Sequence, residues 1–253
     1  MSKLLSKLEE HNRLFRSYVE NKTIAIVGPA SSAMLQESGD IIEKCDIVVR
    51  INRGFENLST KQSFLGKRTD ILYNSLDMDK LCGGDLFSSD LNKVKFICCP
   101  YSIKERTFSN RIFSPITKNN NSLFDSYNIR FIEDEIYFNV KSETNSRVNS
   151  GFGAIVDILE HNVNNVFITG IDFYRSVYQV DYNKDRNWGS DYKKIEEDLE
   201  FKIFNDSNHH NPDRQYSYFK KMYFKNKNKI TLDNFMKKII NDERYDKWDT
   251  IPR

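Results

Sequence analysis

The chain has 253 residues, 39% hydrophobic and 13% aromatic, with 38 Lys and Arg against 36 Asp and Glu. That length can bury a sizeable core, and the aromatic content excludes a disordered chain. A formal net charge of +2 excludes, as a default, a protein built to coat nucleic acid.

The first twenty residues place Leu4, Leu5, Leu8, Phe15 and Val19 along one stripe with charges between them. This predicts an amphipathic helix over residues 1–22 docked on a single domain of residues 23–253, and not a signal peptide. No apolar run approaches the ~20 residues that span a bilayer. Cys45, Cys82, Cys98 and Cys99 show no Cys-x-x-Cys or disulfide spacing, so buried thiols and a cytoplasmic location are expected.

Thr23 to Gly28 is a β-branched run ending in glycine and predicts a strand. A small-residue turn, Pro29 to Ser32, a helix from Ala33 to Lys44 and a strand from Asp46 to Asn52 follow. The unit has the pattern of a βαβ crossover in a parallel sheet. Thr69 to Asn74, Val94 to Cys99 and Val166 to Ile171 predict three more strands, Ile136 to Val140 an edge strand, and Gly151 to His161 a helix. Residues 101–130 read as a surface excursion. The expected class is α/β, a mainly parallel sheet with helices on both faces.

Residues 172–209 lose the pattern and interleave Tyr174, Tyr178, Tyr182, Trp188 and Tyr192 with charges. They predict a lid over about residues 173–209, with a short helix near Tyr192 to Phe201. Pro212 fits the first turn of a helix reaching Lys225, and Leu232 to Ile240 predicts a last one. From Asn211 to Arg253 the charge is +5, against −3 for residues 1–210. This tail is read either as solvated lysine-rich helices or as a basic face for an anionic membrane.

Ligands of an open parallel sheet bind beyond the carboxyl ends of its strands. Those ends carry Gly28 with Pro29 to Ser32, Arg50 to Asn52, Asn74 with Ser75, and Gly170 to Tyr174. The first turn is read as either an anion-binding helix start, through Ser31 and Ser32, or a tight connection. Asn52 and Asn74 can each read a ribose hydroxyl or a base edge, or serve as turn amides. Arg147, Asn149, Ser150 and Gly151 open the next helix as N-cap residues and as a receptor for a carboxylate or phosphate. His209 and His210 precede the Pro212 helix and offer a base near neutral pH or a surface pair. Asp77 and Asp79 form an Asp-x-Asp that could hold a divalent metal against a sugar diphosphate, or sit at a helix start.

Arg147-Val148-Asn149-Ser150-Gly151, continuing to Val166–Tyr174, together with the blocks Gly66–Ser75, Val48–Phe55 and Ile24–Ser32, resembles bacterial sialyltransferases of glycosyltransferase family 42. More distantly it resembles the sialylmotifs of family 29. The resemblance runs from about residue 23 to 225 and implies a GT-A-like, Rossmann-type fold with a lid. It implies an inverting transfer of sialic acid from CMP-sialic acid to a glycan hydroxyl, with no metal or cofactor. Carried over by position, Gly28, Ser31, Ser32, Asn52, Asn74, Ser75 and Asp172 would hold the donor nucleotide. Asn149, Ser150 and Gly151, with Arg147 nearby, would receive the sugar carboxylate. Tyr174 and Tyr178 would donate to the departing phosphate, and His210, or else His209, would be the base. Pro29 and Asn149 depart from the family's usual residues. The partners the resemblance implies are a CMP-sugar and a glycan acceptor; the basic C-terminal region adds an inner-membrane surface as an expected contact, and a further copy of the chain is a separate expected partner. The alternatives are a metal-dependent sugar-diphosphate transferase using Asp77 and Asp79, and an inactive nucleotide- or glycan-binding homologue.

Overall fold

All five principal apolar runs are strands: β1 (Thr23–Val27), β2 (Ile47–Ile51), β3 (Ile71–Tyr73), β4 (Phe96–Cys99) and, after β5 (Ile129–Phe131), β6 (Asn165–Thr169). With β7 (Ile230–Leu232) they form a sheet of order β5-β4-β3-β2-β1-β6-β7. Every adjacent pair in it is parallel. The structure, a computed structural model, describes residues 2–76, 86, 91–108, 123–179, 182 and 210–242. Asp77, Asp79, Cys82, His209, most of the expected lid and the expected helix near Tyr192 to Phe201 lie outside the described residues.

The described helices are α1 (Ser2–Val19), α2 (Gly39–Lys44), α3 (Gln62–Leu65), α4 (Ile103–Phe108), α5 (Leu123–Ser126), α6 (Asp134–Thr144), α7 (Ser150–Leu159), α8 (Pro212–Lys225) and α9 (Asn234–Ile240). Alternation along the strands feeds two cores. Ile24 and Ile26 of β1 join a large cluster with Phe15, Ile155 and Phe219. Ala25 and Val27 face a smaller one with Ala33, Ile42 and Leu65. A parallel sheet buried on both faces requires this. None of the described helices is long and apolar enough to cross a membrane. Cys98 and Cys99 are buried and Cys45 is half-buried, all three as free thiols.

Four expectations are corrected. Residues 136–140 are not an edge strand but part of α6. Tyr137, Val140 and Thr144 are its buried residues, a helical spacing, and Asp134 and Glu135 suit its first turn. The single helix expected from Ala33 to Lys44 is a 3₁₀ turn (Ser31–Leu35) followed by α2, broken where Gln36 turns extended. β5 begins in the segment read as an excursion, and β7 lies in the gap left between the two expected C-terminal helices and takes Leu232 from the start of the second. On α1, Leu8, Phe15 and Val19 are buried as the stripe requires, but Leu5 is exposed. His11 takes a buried place on that face and donates from Nδ1 to the Ile129 carbonyl at 2.8 Å.

Chain order sets the position of the site. From β1 the sheet grows outward through β2 to β5, and then the chain crosses to β6 on the other side of β1. The connections therefore diverge between β1 and β6, the point where an open parallel sheet leaves a crevice at its carboxyl end.

Candidate active site

At that divergence Gly28 and Gly170 touch. A Cβ on Gly28 would stand 2.1 Å from the Gly170 carbonyl oxygen, and Gly170 itself has φ +67°, so neither position accepts a side chain without displacement. Gly28 N donates to the Thr169 carbonyl at 2.8 Å, and Ala30 N to that of Gly170 at 3.0 Å. The segment after β6 then folds back along the first turn. Ser31 N donates to the Val177 carbonyl at 2.7 Å and Gln179 N to that of Pro29 at 2.9 Å. Ser32 N donates to Ser176 Oγ at 3.2 Å. The Ser31 and Ser32 amides that could cradle an anion are thus spent on the protein.

Asp172 is the hub of this clasp. It is 2% exposed and accepts from Ser32 Oγ at 2.8 Å and from Ser176 Oγ. Burial pushes its carboxyl above the ordinary range against those two hydroxyl bonds. Phe173 and Tyr174 follow with φ of 56° and 62°, two successive left-handed residues that aim the Tyr174 ring. That conformation is held from α8: the Arg175 guanidinium donates to the Phe173 carbonyl at 3.2 Å and stacks on Tyr216 at 4.1 Å. Tyr174, Tyr178 and Tyr182 form a row with centroid separations of 6.3 and 4.9 Å.

Beyond β2 and β3 the two asparagines act as turn amides and are drawn together. Asn52, at φ 49°, donates from its backbone N–H to the Tyr73 carbonyl at 2.7 Å, and its Oδ1 accepts from Ser75 N at 3.2 Å. Asn74 is fully buried, with Oδ1 accepting from Leu76 N at 2.7 Å. Arg50, just before, belongs to the scaffold. It is buried and donates to the Arg68 and Leu65 carbonyls at 2.9 and 2.7 Å, and burial lowers its guanidinium to about 10.

The third component is the start of α7. Asn149 caps it, accepting from Phe152 N at 2.8 Å, so the cap comes from Asn149 and not from Ser150. The next two N–H groups, of Ser150 and Gly151, have no protein acceptor among the described residues, which leaves a helix start open to an anion. A Cβ on Gly151 would come within 3.3 Å of Ile171, whose side chain also packs on Gly28. Ile171 therefore joins the first turn to the α7 terminus. The Arg147 guanidinium lies over the Tyr101 ring at 4.4 Å, and it is the Arg147 carbonyl that faces His210, accepting from Nδ1 at 2.8 Å. A proton held at Nδ1 leaves the lone pair on Nε2, the form a general base needs.

Gln215 was not singled out in the sequence. It is fully buried in the first turn of α8 and bonds to the Arg147 carbonyl, Ser146 Oγ and Asn149 N. A glutamine on the buried face of a helix, five residues after a histidine, is the one signal that could have marked it.

No protein-family model matches the sequence, and no curated protein matches it. Among solved structures, a mammalian sialyltransferase in complex with Gal-beta-1-3GalNAc-ortho-nitrophenol superposes with TM-score 0.52 and 13% identity, covering 90% of this chain and 78% of that one. The chain has the fold of a sialyltransferase. Two bacterial structures from Campylobacter jejuni accompany it, each at TM-score 0.49. CstII with CMP-3FNeuAc is 16% identical over 83% of this chain and 81% of that one. The monofunctional alpha-2,3-sialyltransferase Cst-I is 19% identical over 85% and 77%.

Proposed function

We propose that the chain is an inverting sialyltransferase that moves sialic acid from CMP-sialic acid to a terminal hydroxyl of a glycan, with His210 as general base. The observation that carries this reading is the junction at Arg147. One backbone carbonyl orients the His210 imidazole, and two residues further on begins a helix terminus with unspent N–H groups. A base and an anion receptor held by one short segment suit a donor whose sugar bears a carboxylate. Asn52, Asn74 and Ser75 hold the cytidine ribose beside the clasped first turn. The Tyr174 and Tyr178 phenols donate to the phosphate as the glycosidic bond breaks. CMP leaves as a monoester dianion, which phenols and amides can stabilise without a divalent ion. His210 takes the acceptor proton on the opposite side of the anomeric carbon, so attack is in line with inversion.

The test is transfer from CMP-sialic acid to a galactoside, followed as CMP release and as sialylated product. Transfer unchanged by EDTA is expected. Complete loss restored by Mn²⁺ would favour the sugar-diphosphate reading through Asp77 and Asp79, and neither transfer nor donor hydrolysis would favour a binding homologue.

The basic tail fits an anionic bilayer surface. Lys221, Phe224 and Lys225 share one face of α8 at helical spacing, Phe224 is half exposed, and Lys227 Nζ lies 5.9 Å from its ring centroid. Each lysine near such a surface contributes about 1 kcal/mol. Sedimentation with phosphatidylserine vesicles is expected, and Lys225→Glu with Lys227→Glu should weaken it about tenfold or more. Equal binding to phosphatidylcholine vesicles would rule the lysine face out.

A further inference from the structure

A backbone carbonyl has two lone pairs, and at Arg147 both are filled from α8's end of the molecule. His210 Nδ1 donates to it at 2.8 Å, and Gln215 Nε2 donates to it at 2.8 Å. The remaining bonds of the Gln215 amide reach the flanking residues: Nε2 to Ser146 Oγ at 3.3 Å, and Oε1 from Asn149 N at 3.4 Å. Ser146 Oγ in turn donates to Thr144 Oγ1 at 3.3 Å, at the end of α6. Gln215 is fully buried, and its own N–H donates to the Asn211 carbonyl at 3.1 Å, so its side chain starts from the first turn that follows His210.

We propose that Gln215 is a positioning residue that couples the base to the donor site, acting through the Arg147 carbonyl on His210 and through the Asn149 N–H on the start of α7. The inference rests on the reading of His210 as the base and names the side chain that makes that reading work. An unsupported segment such as 145–149 would let the Arg147 carbonyl rotate, and with it the direction of the Nδ1–H bond. The glutamine amide prevents this because it has a donor and an acceptor to spend at both ends of the segment. A methionine of similar volume would fill the same space and make none of these bonds. Shape is then preserved and orientation is lost. A misplacement of the base by about 1 Å costs about a hundredfold in rate.

Two readouts on the full chain decide this. The first is NMR of the histidine rings, four in the whole chain, which does not depend on activity. In Gln215→Met the His210 ring is expected to lose its fixed Nδ1–H tautomer and the slow exchange of that proton, while the His11 and His161 signals stay in place. An unchanged His210 tautomer and exchange rate would overturn the proposal. The second is a kinetic cycle. Gln215→Met is expected to lower kcat by about ten- to a hundredfold, and to change it less than threefold once His210 is already alanine, because positioning a residue that is gone has no value. Equal losses in both backgrounds would mean a general packing role and would overturn the coupling. If Gln215→Met unfolds, Gln215→Leu removes the same donors and acceptor without adding a charge, and the same two outcomes apply. Full transfer by His210→Ala would remove the base reading, yet the NMR result would still decide whether Gln215 orients the ring.

Discussion

Asp157→Ala is expected to destabilise the protein by about 3–5 kcal/mol, the cost of leaving a buried guanidinium unpaired. Asp157 is fully buried towards the C-terminal end of α7, and Arg130 on β5 is 1% exposed. The Arg130 guanidinium donates to both carboxylate oxygens, at 3.2 Å to Oδ1, and Tyr73 Oη donates to Oδ2 at 2.5 Å. Arg130 Nε donates to Asn12 Oδ1 at 3.0 Å, and its guanidinium covers the Phe15 ring at 4.0 Å. One network therefore ties α1, β3, β5 and α7 together. Burial works against a charged carboxyl, but the Arg130 charge, the His161 ring with Nε2 3.7 Å from Oδ1, and the Arg130 hydrogen bonds hold Asp157 well below the usual carboxylate range. Its stabilisation is complete above the unfolded carboxyl's value near 4 and disappears as pH falls below that toward the folded value. Urea unfolding at neutral pH reads the loss, and in acid the difference between wild type and Asp157→Ala should narrow. A difference under about 1 kcal/mol at neutral pH would show that the network relaxes or hydrates when broken. Because α7 carries the Asn149–Gly151 terminus, the same variant should also weaken CMP binding.

The apolar strands were legible because a sheet covered on both faces leaves continuous β-branched runs, as in Ile24 to Val27 and Ile47 to Val49. β5 was not, since Arg130 interrupts it, and that arginine is admissible inside only because Asp157 comes 27 residues later in a different element. β7 is three residues long with Thr231 exposed, too short for a period. α6 deceived because Ile136 to Val140 is rich in strand-forming side chains, whereas its placement follows from packing at helical spacing. Pro212 announced the start of α8, since a first-turn proline is a local signal.

The site follows the same division. Gly28, Asn52, Asn74 and the Asn149 cap were readable from their positions at strand ends and a helix start. What could not be read is how they are spent. Ser31 and Ser32 have backbone amides suited to a ligand, but the return of residues 176–179 along the first turn satisfies those amides internally. That contact joins residues about 145 positions apart and has no sequence period. Gln215 was hidden for the same reason: its partners are 66 to 69 residues away, and only the fold brings α8 against the segment before α7.

His210→Ala should reduce kcat/KM for transfer by about 10²- to 10⁴-fold, the usual contribution of a positioned general base. The geometry dictates the form of the loss. The ring is fixed through Nδ1 on the Arg147 carbonyl, so removing it takes away the acceptor of the proton and leaves the Asn149 cap and the α7 terminus intact. CMP affinity by titration should therefore stay within about threefold of wild type, a loss confined to the transition state. Hydrolysis of CMP-sialic acid in the absence of acceptor should fall less than transfer does, because water has other routes to lose its proton. Substitution of His209 separates the two neighbours: a loss at His209 equal to or larger than that at His210 would move the base by one residue. Parallel loss of CMP binding and transfer in His210→Ala would instead make the histidine a structural support for the 146–149 segment. Loss of transfer with binding retained is the outcome that identifies a base, and it leaves Tyr174 and the Ser150 and Gly151 amides to hold the donor.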